Sequence, residues 1–319
     1  MMRRGVKISL IIAAVLLIAG TVMMAVSLGT TGLEGLDTSP MVTNTYDIRD
    51  PFSDLDISVS AAEVMLLPSD DGTCKVVCHE EEKLYHSVEI RDGVLCIQKV
   101  DEREWYDNIG IHTGNTQVTV YLPQDEYGDL MVNGSTGLVD IPGDLLFDSI
   151  DVTVTTGVVH CDASASERIK IRTSTGDIRV GDITAPSAEL SVTTGRIDAE
   201  DVICDGELRI DVNTGDAFLT NVRCGSLLSD GSTGDIHLTD VIAEEKLDIK
   251  RTTGDVEMEG CDGPVIIIET RTGKVTGTFL SGKIFNAYTS TGSVRVPRSE
   301  PGGECSITTS TGDIRIDIE

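Results

Sequence analysis

The sequence predicts an all-β chain wound into a β-solenoid, a parallel β-helix-like stack of about ten coils of 19–20 residues. Three observations predict it. Ten Thr-Gly pairs fall at a near-constant interval, with glycines at Gly137, Gly157, Gly176, Gly195, Gly215, Gly234, Gly254, Gly273, Gly292 and Gly312 and successive gaps of 20, 19, 19, 20, 19, 20, 19, 19 and 20. Apolar residues alternate with polar ones on both sides of each glycine, but the phase switches across it. Helical periodicity is nearly absent after residue 30. A period that short and constant marks units that bury their apolar faces against their neighbours.

The N-terminus differs. Arg3, Arg4 and Lys7 precede an uncharged, mostly apolar stretch of 21 residues from Ile8 to Leu28. That length suits a helix crossing a bilayer core. The flanking positive charges place the N-terminus in the cytoplasm and the remainder outside. The expectation is a single-pass anchor over residues 1–28 in the cytoplasmic membrane. A signal peptide cleaved near Ala25-Val26-Ser27 is the competing reading, although the apolar run exceeds the usual h-region. Residues 29–45, rich in Gly, Thr and Ser, read as a linker.

Residues 46–129 read as a β region that caps and continues the solenoid. Leu55, Ile57 and Val59 alternate, as do Cys74, Val76 and Cys78, and a turn is expected at Asp92-Gly93.

In the repeats, residues 130–319, the position seven before each glycine is apolar from Leu130 to Cys305, and that five before is apolar except at Ser229. Two after the glycine stand Val139, Val159, Ile178, Ile197, Ala217, Ile236, Val256, Val275, Val294 and Ile314. Inward positions are therefore odd-numbered before the glycine and even-numbered after it. One uninterrupted strand cannot do this, so each Thr-Gly step is a corner. Glycine suits a corner that needs positive φ or close backbone approach. An antiparallel meander with Thr-Gly hairpins fits the same alternation, but hairpin turns tolerate more length variation. Pro142, Pro186, Pro264, Pro297 and Pro301 lie past the paired columns. The last strand, Asp313 to Glu319, alternates charges with isoleucines, as an exposed edge does.

All 53 acidic residues and 22 of the 25 basic ones lie beyond the apolar run, a balance of −31. This argues against nucleic acid as partner and allows Ca²⁺, cationic peptides or basic envelope proteins. Of the eight cysteines, Cys204 and Cys224 both stand nine residues past a Thr-Gly glycine in consecutive units. Stacking would bring them within disulfide range, so a disulfide or a thiol ladder is expected there.

Asp54 to Val64, Val88 to Ile97, and Val118 to Pro123, followed by the Ser/Thr-Thr-Gly-Asp repeats, resemble the bacterial putative-adhesin family of exported β-strand-repeat proteins. The resemblance covers nearly everything from residue 46 on. It implies a β-solenoid-like fold and a place in the cell envelope, with roles that include envelope-stress sensing. It brings no catalytic residues.

The residues themselves carry little catalytic chemistry. The strongest constellation follows the corner glycines: Asp177, Arg196, Asp216, Asp235, Asp255 and Lys274, then Asp313. Stacked, Asp216, Asp235 and Asp255 form a carboxylate ladder. Corner chemistry explains it, since Asp hydrogen-bonds turn backbone. Ca²⁺ binding is a second reading, but it needs six to eight oxygens. Paired-carboxylate catalysis is a third. Asp177 with Arg196, and Asp255 with Lys274, read as cross-coil charge pairs. The five histidines show no metal-ligand spacing. The expectation is a membrane-anchored, non-enzymatic solenoid with an adhesin-like, sensing or scaffolding role. A β-helix polysaccharide-active enzyme and a self-assembling structural module are the alternatives.

Overall fold

A computed structural model describes residues 13, 15–23, 26, 40–105 and 115–319. From residue 40 onwards the chain is strand and turn. Each unit of the repeat is one coil, named here for its corner glycine. Neighbouring coils pair in parallel and in register: Thr136, Thr156, Thr175, Thr194, Thr214, Thr233, Thr253 and Thr272 follow one another in a single column. The meander is thereby excluded.

Each coil bends at three places. At the first bend, nine of the ten corner glycines hold φ between 123° and 155°. The glycine N–H donates to the carbonyl of the threonine in the next coil, as from Gly215 to Thr233 at 2.8 Å. The second bend lies six residues further on, where Asp182, Asp201, Asn221 and Asp240 hold φ of 53–54° and Gly260 holds 63°. Asp, Asn and Gly tolerate this left-handed conformation best. The third bend follows Cys204 and Cys224, where the ladder register shifts by one residue. The difference between 19- and 20-residue coils is absorbed there, so the other columns stay aligned.

The inward columns fill the interior. In the Gly215 coil Leu208, Ile210, Val212, Ala217, Leu219, Val222 and Cys224 are all 2% exposed or less. A fully buried Leu or Ile is worth about 1.5–3 kcal/mol, and each coil gains it only by lying between two others.

Stacking order departs from chain order at both ends. The Gly312 coil (Gly303–Thr311 and Ile314–Ile318) sits between the Gly273 coil (Val265–Thr272 and Val275–Phe279) and the Gly292 coil (Lys283–Thr291 and Val294–Arg295). The last strand is therefore paired on both sides. The exposed edge expected there belongs instead to the Gly292 coil, where Ile284 and Tyr288 are exposed.

The N-terminal end repeats the arrangement with seven strands: β1 (Met41–Ile48), β2 (Asp54–Ser58), β3 (Ala62–Pro68), β4 (Cys74–Glu81), β5 (Leu84–Arg91), β6 (Val94–Asp101) and β7 (Thr116–Leu122). The coil made by β2 and β3 lies between the Gly137 coil and an outer layer of β6 and β7. Antiparallel strands then take over: β5 on β6, β4 on β7, and β1 on β4. Asp92 and Gly93, at φ 51° and 83°, make the two-residue turn between β5 and β6.

Two sequence expectations are corrected here. β1 starts at Met41, inside the stretch read as linker 29–45, because its backbone pairs with β4 along its full length. The single-pass topology is contradicted as well. The described helix covers residues 15–23, which at 1.5 Å per residue is about 14 Å, under half a bilayer core. No helix among the described residues is long and apolar enough to cross a membrane. The rest of the stretch 1–28 and residues 29–39 lie outside the described residues, Ala13 and Val26 excepted.

Candidate functional site

The corner column carries the residues that the sequence singled out. Asp216 Oδ1 accepts the backbone N–H of Asp235 at 2.9 Å, Asp235 Oδ1 that of Asp255 at 2.7 Å, and Asp255 Oδ1 that of Lys274 at 2.7 Å. Asp177 does the same for Arg196 at 3.1 Å, and Asp313 for Ser293 at 2.7 Å. The ladder thus satisfies corner N–H groups from one coil to the next. The cross-coil pairs expected for Asp177–Arg196 and Asp255–Lys274 are side chain to main chain, not ion pairs. Replacing Asp235 by Ala orphans the Asp255 N–H and should cost about 1–2 kcal/mol. Asp235→Asn, which keeps an acceptor, should cost less; urea denaturation of the two variants measures the difference.

Cys204 and Cys224 are partners in register. Both are free thiols, so the expected disulfide is not formed. Their sulfurs turn to opposite sides, Cys204 Sγ donating to the Pro186 carbonyl of the preceding coil at 3.7 Å and Cys224 Sγ to the Ile242 carbonyl of the following one at 3.9 Å. Burial pushes the Cys204 thiol up and that of Cys224 to about 12.

A groove of about 780 Å³ runs beside the corner column, on the strands that lead into it. It crosses the Gly195, Gly215, Gly234, Gly254, Gly273 and Gly312 coils, about 24 Å at 4.8 Å per coil. Two outward columns line it. Four residues before the glycines stand Ser191, Asp211, Asp230, Lys250, Glu269 and Thr308; two before stand Thr193, Asn213, Ser232, Thr252, Arg271 and Ser310. Strand alternation aims both columns outward. Hydroxyls, one amide and balanced acids and bases make this a hydrogen-bonding surface. Burial raises the Asp211 carboxyl, Arg209 opposing and Asp230 adding to the rise.

The groove floor holds a residue that the sequence reading missed. Arg251 occupies an inward position and is 5% exposed. Its Nη2 donates to Ser229 Oγ at 3.1 Å and Nη1 to the Val212 carbonyl at 3.5 Å. Burial lowers its pKa, while Asp230, Asp211, Asp216 and Asp235 hold the charge in place. Space for the guanidinium comes from the coil above: a Cβ on Gly231 would lie 1.5 Å from Nη1. The signal was present in the broken columns. Ser229 interrupts an apolar column, and Gly231 and Arg251 break the column three before the glycine in adjacent coils.

Comparison with known proteins agrees with this architecture. A solved structure described as a putative lipid binding protein from Parabacteroides distasonis ATCC 8503 is 14% identical, with TM-score 0.50, over 74% of this chain and 94% of that one. One described as a putative adhesin from the same strain is 15% identical, with TM-score 0.48, over 74% and 98%. A putative adhesin (BF0245) from Bacteroides fragilis NCTC 9343 is 14% identical, with TM-score 0.45, over 87% and 97%. No curated protein matches the chain. The model of the Toastrack DUF4097 family matches residues 52–227 and again residues 205–319. The chain belongs to the Toastrack DUF4097 family.

Proposed function

We propose that the chain is a non-enzymatic, adhesin-like contact protein whose corner groove takes an extended, hydroxyl-rich polymer, a polysaccharide strand. The observation that carries this reading is the groove itself. It is long and open, and its hydrogen-bonding groups repeat at one fixed step along six coils. A rigid periodic surface binds a periodic ligand without ordering either partner, which spares the entropic cost of association. The carboxylates that an enzyme would need, Asp216 and Asp235, are engaged with backbone N–H groups of the corners, which favours contact over catalysis. The family supplies the adhesin-like part of the reading.

A glycan array followed by calorimetry tests it. Binding should fall at least about tenfold in an Asn213→Ala/Ser232→Ala double variant, as two hydrogen bonds of about 0.5–1.5 kcal/mol each are lost. It should change little with salt, since the lining is charge-balanced. Unchanged affinity in the double variant removes the groove reading. Uptake of a basic peptide with steep salt dependence in place of glycan would move the contact to the acidic surface. Release of reducing ends from a bound glycan would replace contact by catalysis.

A further inference from the structure

The N-terminal cap contains a cluster unrelated to the groove. Cys78 and Glu80 lie two apart on β4, on the same face. The chain turns at Glu82-Lys83 and β5 brings His86 back over them. β4 and β5 pair only at Glu81 and Leu84 and then part, β4 joining β7 and β5 joining β6. The cluster sits where the two strands diverge. Cys78 and Glu80 are fully buried and His86 is 3% exposed.

One ligand atom each from Cys78, Glu80 and His86 lies within 4.8 Å of the other two. The surroundings hold the donors in place. Glu80 Oε2 accepts the His86 backbone N–H at 2.8 Å and lies 2.7 Å from Nδ1. Asn44 Nδ2, from β1, donates to Glu80 Oε1 at 2.8 Å, and the Tyr46 hydroxyl donates to the His86 carbonyl at 3.2 Å. With Nδ1–H directed at a carboxylate, the bare lone pair of the imidazole falls on Nε2. That atom is buried and has no hydrogen-bond partner. An orphaned buried nitrogen is costly unless something else engages it. A carboxylate on one ring nitrogen and a free lone pair on the other is the arrangement of metal-ligating histidines.

We propose that Cys78, Glu80 and His86 form a binding site for one divalent transition-metal ion of the zinc class. A thiolate, an imidazole and a carboxylate together select a borderline cation over Ca²⁺ or Mg²⁺, which take oxygen ligands. Bonds of about 2.0–2.3 Å in a tetrahedron put ligand atoms about 3.3–3.8 Å apart. Side-chain shifts of about 1 Å therefore close the site, with the fourth position left for water. Three ligands from two diverging strands would pin the cap across the point where its layers separate.

Titration of the purified full chain with Co²⁺ alone tests this, because Co²⁺ reports its ligands in its spectrum. The expected result is one Co²⁺ per chain with a thiolate charge-transfer band in the near ultraviolet, displaced by Zn²⁺. Cys78→Ser should lose the band, and His86→Gln should weaken binding by more than about 100-fold, beyond what loss of a merely supporting partner costs. Cys74→Ser, on the same strand, should change nothing. A wild-type chain with no thiolate band overturns the proposal, and this arm holds even where a variant fails to fold. A band that survives Cys78→Ser overturns it equally.

Discussion

Gly215→Ala should abolish a stable solenoid, lowering stability by more than about 4 kcal/mol, in the range reserved for severe steric or core damage. Two effects add. The backbone φ of 128° is one that L-residues with a side chain rarely adopt. The added Cβ would also stand 1.8 Å from the Gly195 carbonyl oxygen and 2.8 Å from its carbon. Those atoms are backbone, already held in the corner column, so no rotamer change relieves the overlap. Relief would require the coils to separate, breaking the parallel ladder on both sides. Gly72→Ala is the control: its φ is 70°, but nothing lies within 4 Å of the new Cβ. Strain alone should cost it about 1–2 kcal/mol. Urea midpoints that match for the two variants would show that close approach does not govern the corners.

Deleting residues 303–319 should undo the C-terminal end of the stack, not merely shorten it. In a solenoid stacked in chain order, removing the last coil exposes the one before and leaves the rest paired. Here the removed coil is the inner one. Its Cys305, Ile307, Ile314 and Ile316 are 1% exposed or less. At about 1.5–3 kcal/mol for each fully buried apolar side chain, the three isoleucines alone account for about 4–9 kcal/mol of burial. The Gly292 coil, joined to the stack through Lys283–Thr291 and Val294–Arg295, loses both pairings. Limited proteolysis should then cut within residues 280–302, and the urea midpoint should drop. A truncated chain that resists cleavage there would mean that the Gly292 coil can settle directly on the Gly273 coil.

That alternative is physically real, and it explains what the sequence did and did not disclose. Corners and inward columns were legible because they follow from phase: Ile210 and Leu219 cannot both point inward unless the chain bends between them. Stacking order was not legible. Thr291-Gly292 and Thr311-Gly312 present the same corner, and Ala287 and Ile307 the same inward position, so either coil satisfies the Gly273 coil locally. What separates them lies in the connections. Lys283, 2% exposed, forms an ion pair with Asp262 and donates to Ser281 Oγ at 2.7 Å. The Glu300 N–H closes the return on the Lys283 carbonyl at 3.1 Å.

The second bend was legible yet overlooked. Asp182, Asp201, Asn221, Asp240 and Gly260 recur six residues past the Thr-Gly glycines, the residue types that a left-handed corner selects. The cysteine–glutamate–histidine cluster was hidden for another reason. Cys78 and Glu80 are neighbours on one strand, but His86 reaches them only because the hairpin folds back before its strands part, a fact of topology that spacing does not carry. The juxtamembrane anchor failed on length: the described helix is too short, although hydropathy alone favoured a span.

The third bend has a practical consequence. Rungs of 19 and 20 residues alternate without disturbing the inward columns, because the surplus residue is accommodated after Cys204 in one rung and after Ala243 in another. The stack therefore has a longitudinal seam along which chain length is free to drift while every other row stays locked. Lineages of this scaffold can diversify there by inserting segments, and a designer can graft foreign loops there, several at a time and about 5 Å apart, on a support whose rigidity does not depend on what the seam displays.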